Sequence, residues 1–261
     1  MEVVISSSAE EVARLGADAV TEVVTRSPQA VLGLATGSSP LGIYDELARR
    51  VRDGALSLSG VTAYLLDEYV GLPEDHPQRY RTVIERELVD KVDLPATQVH
   101  TPYGLAEDIP AACAAYESSI RDSGGIDLQI LGIGTDGHIA FNEPGSSLSS
   151  RTRLKSLTPQ TRNDNARFFD DDVDKVPRHS LTQGIGTILE ARHLLLVAQG
   201  SGKAEAVHQL VEGAVSAMWP ATALQLHPHV TVLLDEAAAA RLTYADYYRD
   251  AYAHKPEWQG F

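Results

Sequence analysis

The sequence predicts an α/β fold: an open, largely parallel sheet with helices on both faces. Three observations predict it. Short apolar runs alternate with segments of helical periodicity, the pattern of repeated βαβ units. The run 128–133 is apolar almost throughout rather than at every second position, as in a strand covered on both faces. Four of the runs end in glycine, hydroxyl or acidic residues, where open α/β sheets place their ligands.

In chain order, a weak strand at 3–5 precedes a helix over 9–26. A strand at 31–35 runs into Thr36-Gly37-Ser38-Ser39-Pro40 and a helix over 41–52, whose Leu41, Tyr44, Leu47, Ala48 and Val51 form one apolar stripe. The strand 61–66 ends at Asp67, and a helix over 109–122 leads to the strand 128–133. A strand at 194–198, a helix over 203–212 and a strand at 230–234 complete the alternation. The stretch 146–180 departs from it, being polar and charged. A connection of that length in a compact domain serves as a lid, a mobile excursion or a solvated surface hairpin. Tyr244, Tyr247, Tyr248 and Tyr252 lie at helical spacing, suited to packing or a subunit contact. Without internal repeats or low-complexity linkers, the 261 residues read as one domain, 1–261.

Composition narrows the function. A formal net charge of −14 argues against nucleic acid or an anionic membrane as partner, because both demand clustered Lys and Arg. A small anion needs only a local basic pocket. Arg151, Arg153, Lys155, Arg162 and Arg167 stand against a single acid, Asp164, and offer one. The one cysteine, Cys113, excludes an intrachain disulfide and suits a small buried hydrophobe in its Ala-rich stretch. The first residues lack the basic and apolar regions of a secretion signal, and no apolar run approaches membrane-spanning length, so a cytoplasmic protein is expected.

The richest segment is Asp136-Gly137-His138-Ile139-Ala140-Phe141-Asn142-Glu143-Pro144. It sets an imidazole between two acids at the end of a buried strand, a spacing suited to proton transfer. Asp67 follows a buried Leu pair, where desolvation makes a carboxylate basic enough to act near neutral pH, and its neighbour Glu68 is expected to point away. Small residues and hydroxyls at 36–39 before a helix suit a phosphate nest. Gln199-Gly200-Ser201-Gly202-Lys203 repeats the theme, although the P-loop spacing is absent. Lys203 opposes the helix dipole there, which gives it an anionic purpose. His227-Pro228-His229 lacks accompanying metal ligands and reads as a structural pair.

These motifs resemble the glucosamine-6-phosphate deaminase family, a branch of the glucosamine/galactosamine-6-phosphate isomerases. The match rests on the 36–40 turn, Leu66-Asp67-Glu68-Tyr69-Val70-Gly71-Leu72, the 136–144 segment, Ser150-Arg151-Thr152-Arg153, Arg167-Phe168-Phe169 and Gly200-Ser201-Gly202-Lys203, and it extends over nearly the whole chain. The 6-phosphogluconolactonases share the fold and an Asp-Gly-His element, but typically lack the continuation to Glu143-Pro144. The resemblance implies a Rossmann-like fold of the sugar-phosphate isomerase/lactonase type. It also implies conversion of glucosamine 6-phosphate and water to fructose 6-phosphate and ammonia, with no metal or organic cofactor. By position, Asp67 is the base that moves a proton between C2 and C1, and His138, with Asp136 and Glu143, opens the ring. Thr36, Gly37, Ser38, Ser39, Arg167 and Lys203 hold the phosphate. Family members include hexamers activated by N-acetylglucosamine 6-phosphate. A homo-oligomer is therefore expected, with Ser146, Arg153 and Lys155 at positions that bind the effector's phosphate. The segment after Glu236 departs from the allosteric members, so no tyrosine is assigned to that site.

Overall fold

In the computed structural model, which describes residues 1–260, seven strands form the central sheet. They are β1 (Glu2–Ser6), β2 (Val31–Leu34), β3 (Thr62–Leu65), β5 (Val99–His100), β6 (Leu128–Leu131), β9 (His193–Ala198) and β10 (Val230–Asp235). Their order is β1-β10-β9-β6-β2-β3-β5, and every neighbouring pair is parallel. All of β2, β6 and β9 is buried, which explains why these runs lack polar alternation.

The helices flanking the sheet begin where the side chains dictate. In α1 (Ala9–Arg26), the Ser8 hydroxyl accepts the Glu11 amide at 3.2 Å while the Glu11 carboxylate takes the Ser7 amide at 3.0 Å. Asp108 caps α4 (Ile109–Asp122) through the Ala111 amide, with Pro110 in the first turn. Helices α1, α2 (Leu41–Arg52) and α4 have the bounds their periodicity predicts. Helix α7 (Ala204–Glu212) starts one residue later than expected, because residues 201–203 wind as a 3-10 turn. The shorter α3 (Tyr80–Glu87), α6 (Ile185–Ile188) and α8 (Ala245–Ala253) complete the flanks. Among the described residues no helix is long and apolar enough to cross a membrane.

The excursion has its own structure. Strands β4 (Asp67–Tyr69), β7 (Arg153–Ser156) and β8 (His179–Thr182) form an antiparallel sheet of order β4-β8-β7, and α5 (Pro159–Ala166) lies between β7 and β8. A smaller apolar cluster underlies it, built on Tyr69, Leu72, Phe141, Leu157, Phe169 and Val176. The strand expected to run through 61–66 therefore divides. The chain leaves the parallel sheet at Leu66, whose amide still reaches Leu34 while its carbonyl already accepts Gln183, and Asp67 begins β4.

The lone cysteine is buried, as expected. His227 places Nδ1 2.9 Å from the His229 carbonyl and Nε2 2.7 Å from that of Ala191, and His229 stacks on His193 at 3.7 Å, so the pair braces the start of β10.

Candidate active site

Strand order reverses between β2 and β6, and a cavity of about 590 Å³ opens at their C-terminal ends. Residues 36–39 form one wall. Gly37 turns there at φ +92°, in the left-handed region that favours glycine. Behind it the Tyr44 hydroxyl donates to the Ala35 carbonyl at 2.7 Å and accepts the Ala35 amide at 3.2 Å, fixing the strand end against the helix that follows.

Lys203, in the 3-10 turn before α7, and Arg167, at the end of α5, line the cavity together with this turn. The turn before Lys203 is set by Asp235, whose two carboxylate oxygens accept the Gly200 amide at 2.9 and 3.0 Å. Burial pulls the Lys203 ammonium below its ordinary range; Asp164 opposes that shift and the Arg167 charge adds to it. Among the described residues neither cation has a carboxylate at ion-pair distance. A partly buried Lys203 and an exposed Arg167 beside a turn of amides and hydroxyls form an anion clamp.

Asp67 occupies a third wall and is 6% exposed. Burial, and then the neighbouring Glu68 charge, push its carboxyl well above the usual carboxylate range. Glu68 does point elsewhere. Fully buried, it accepts the amides of Tyr69, Tyr80 and Arg81 at 2.9, 2.9 and 3.0 Å. Asp67 thus keeps its lone pairs for the cavity.

The fourth wall follows β6. Only glycine fits at 134, where a Cβ would lie 2.3 Å from the His138 ring. His138 lines the cavity, and its buried Nδ1 lies 2.7 Å from Asp136 Oδ1 and 3.7 Å from Glu143 Oε2, leaving Nε2 for a ligand. The Asp136 contact is short but lies off the line of the ring N–H, so the carboxylate flanks the imidazole without an aligned hydrogen bond. Desolvation acts to raise the Asp136 carboxyl, but the bonds and charge of His138 overcome it and hold it below its ordinary value. Glu143 Oε1 accepts the Thr158 amide at 3.2 Å, tying the excursion to this loop. Ala140, also lining the cavity, sits at φ +50°, a strained conformation of the kind found at functional sites. The ligand atoms of Asp136, His138 and Glu143 lie within 4.8 Å of one another, so a cation is the competing chemistry for this trio.

The structure therefore brings together ten of the sequence-predicted residues. Thr36, Gly37, Ser38, Ser39, Asp67, His138, Arg167 and Lys203 line the cavity, with Asp136 and Glu143 behind His138. Ser146, Arg153 and Lys155 are not part of that lining. Ser146 is buried with its hydroxyl unpartnered, and Arg153 bonds Asn142 Oδ1 at 2.9 Å. The expected basic pocket is a correction: of its five cations only Arg167 lines the cavity. Arg151 pairs with Glu117 and Glu190, and Arg162 is spent on the carbonyls of Val173 and Val176. Sequence reasoning missed Tyr80, Asn165 and Phe168, which also line the cavity. Phe168 lay in the resemblance motif beside Arg167; Tyr80 and Asn165 carry no local signal.

Residues 5–233 match the family described as glucosamine-6-phosphate isomerases/6-phosphogluconolactonase. The chain belongs to this family. Glucosamine-6-phosphate deaminases of Mycolicibacterium smegmatis and Beutenbergia cavernae are each 66% identical over 260 residues, with 100% of both chains covered. The Streptomyces coelicolor protein of the same name is 57% identical over the same span. Among solved structures, a monomeric glucosamine-6-phosphate deaminase superposes with a TM-score of 0.90 at 42% identity, over 92% of this chain and 99% of that one. The 6-phosphogluconolactonase of Trypanosoma cruzi, at 20% identity and a TM-score of 0.75 over 93% of this chain and 97% of that one, shares the fold. Both branches of the family thus present the same sheet, and the walls of the cavity must distinguish them.

Proposed function

We propose that the cavity is the active site of a glucosamine-6-phosphate deaminase, which converts glucosamine 6-phosphate and water to fructose 6-phosphate and ammonia. The observation that carries this reading is Asp67: a buried, unspent carboxylate of raised basicity, in one cavity with an anion clamp and an acid-flanked imidazole. Lactone hydrolysis has no proton to move between carbons and gives such a base no task. The full-length relatives at 57–66% identity, all named for the deaminase, support the same choice.

In the proposed sequence Arg167, Lys203 and residues 36–39 hold the phosphate and fix the sugar. His138, its Nδ1 held by Asp136 and Glu143, supplies a proton at the ring oxygen through Nε2 and opens the pyranose. Asp67 takes the C2 proton and returns it to C1, carrying the aldose through an enolamine to the 2-imine of the ketose. Water adds at C2, and ammonia leaves. The reading includes assembly into a homo-oligomer, a hexamer being one form open to it, and activation by N-acetylglucosamine 6-phosphate at Ser146, Arg153 and Lys155. It is supported by Arg153 and Lys155 lying at alternate positions of β7, and by the unpartnered Ser146 hydroxyl.

The test is an assay of purified protein with glucosamine 6-phosphate, reading ammonia and fructose 6-phosphate in equal amounts. Hydrolysis of 6-phosphogluconolactone without ammonia release would sink the proposal. Sedimentation velocity, together with kinetics with and without the effector, tests assembly and regulation. A monomer with hyperbolic kinetics that the effector leaves unchanged contradicts them.

A further inference from the structure

The two halves of the anion clamp sit on different parts of the molecule. Residues 36–39 and Lys203 belong to loops of the parallel sheet, whereas Arg167 ends α5 in the excursion. One side chain joins them. The Tyr69 hydroxyl, in a residue 2% exposed, accepts the Asn165 side-chain amide of α5 at 3.0 Å and the Tyr80 hydroxyl at 3.3 Å. Tyr80 and Thr36 of the phosphate turn line the same cavity. The Tyr69 ring packs against Tyr80 at 4.8 Å, Phe141 of the His138 loop at 5.7 Å and Phe169 of the excursion at 5.7 Å. Asn165 lies two positions before Arg167, so whatever fixes Asn165 fixes the root of that guanidinium.

We propose that Tyr69 is a positioning residue: its hydroxyl ties α5 to Tyr80 in the facing wall of the cavity, so that Arg167 is held at the anion opposite Thr36 and Lys203. The inference rests on the reading of the cavity as a sugar-phosphate site. Tyr69 touches no reacting atom. It acts on the reaction through where Arg167 stands.

The test uses Tyr69→Phe, which keeps the ring and its packing, and Asn165→Ala, which cuts the same link from the excursion side. Each variant is compared with the wild type by KM and kcat for glucosamine 6-phosphate and by the Kd of inorganic phosphate. One lost buried hydrogen bond predicts a roughly tenfold rise in KM and in phosphate Kd with kcat within about twofold. In an Arg167→Ala background the Tyr69→Phe penalty should vanish, because its effect passes through Arg167. A generic packing defect would instead persist in that background and would lower kcat as well. Tyr69→Phe with KM and phosphate Kd unchanged, or with the same penalty with and without Arg167, overturns the proposal. A wild type that binds inorganic phosphate but releases no ammonia refutes the deaminase reading alone, and the phosphate measurements then still decide the role of Tyr69.

Discussion

At the scale of the residue, Asp67 concentrates both chemistry and cost. Its raised pKa predicts that kcat/KM increases with pH on an acid limb whose midpoint lies above the ordinary carboxylate range of about 3.9. A midpoint at the ordinary value would mean that Asp67 is solvated in the working enzyme. The same shift sets a sign for stability. A carboxyl whose folded pKa is raised contributes most below its unfolded pKa, and that contribution is lost as pH rises through the folded value. Asp67→Asn should therefore leave Tm unchanged near pH 4 and raise it at pH 8, read by thermal unfolding at both values. For the clamp, Lys203→Ala removes a charge-assisted contact worth about 1.5–3 kcal/mol. KM should rise roughly 10- to 100-fold with unfolding unaffected, and an unchanged KM would return Lys203 to the role of a turn residue. These residues were legible because each sits at the polar border of an apolar run. Tyr80 and Asn165 were not. They reach the cavity from eight-residue helices whose contacts are made across the fold, which no local pattern records.

At the scale of the element, the excursion decides how the site is enclosed. Its polar character was visible in the sequence, but its strands were not. Residues Arg153–Ser156 form a half-exposed edge strand, and β4 is three residues long, too short for alternation to show. The expected cationic pocket failed for a related reason: the excursion spends its cations on holding itself. Arg151 binds Glu117, whose other oxygen accepts the Thr152 amide at 2.8 Å and the Thr187 hydroxyl at 2.6 Å. This carboxylate clamps α4 to the base of β7. Glu117→Ala leaves several donors unmatched and should lower stability by about 2–4 kcal/mol at pH 7. Burial acts to raise the Glu117 carboxyl, but its donors win and hold it below its ordinary value. Its contribution is therefore full above the unfolded pKa and lost as pH falls through the folded one. Urea unfolding should show the variant's deficit at pH 7 shrinking in strong acid; a deficit independent of pH would assign it to lost packing instead.

At the scale of the molecule, an acidic chain of net charge −14 sets the cations Arg167 and Lys203 together in a cavity at the switch point of a parallel sheet. The strand order follows from the sequence only in part. Alternation of apolar runs and helices predicts parallel βαβ units, but nothing in a single run says that β6 lies between β2 and β9. That placement turns separate motifs into one site, with the His138 trio and the Asp67 base in neighbouring walls. The trio's chemistry is itself testable. As a proton relay it predicts full activity after dialysis against EDTA, and loss of activity restored by a divalent cation would reassign it to metal binding. The most direct measurement of the whole reading is the rate of ammonia release by Asp67→Asn, beside its Kd for inorganic phosphate. Removal of a general base predicts turnover lower by about 10²–10⁴-fold with phosphate binding intact. Turnover near that of the wild type would contradict the assignment of the C2 proton to Asp67.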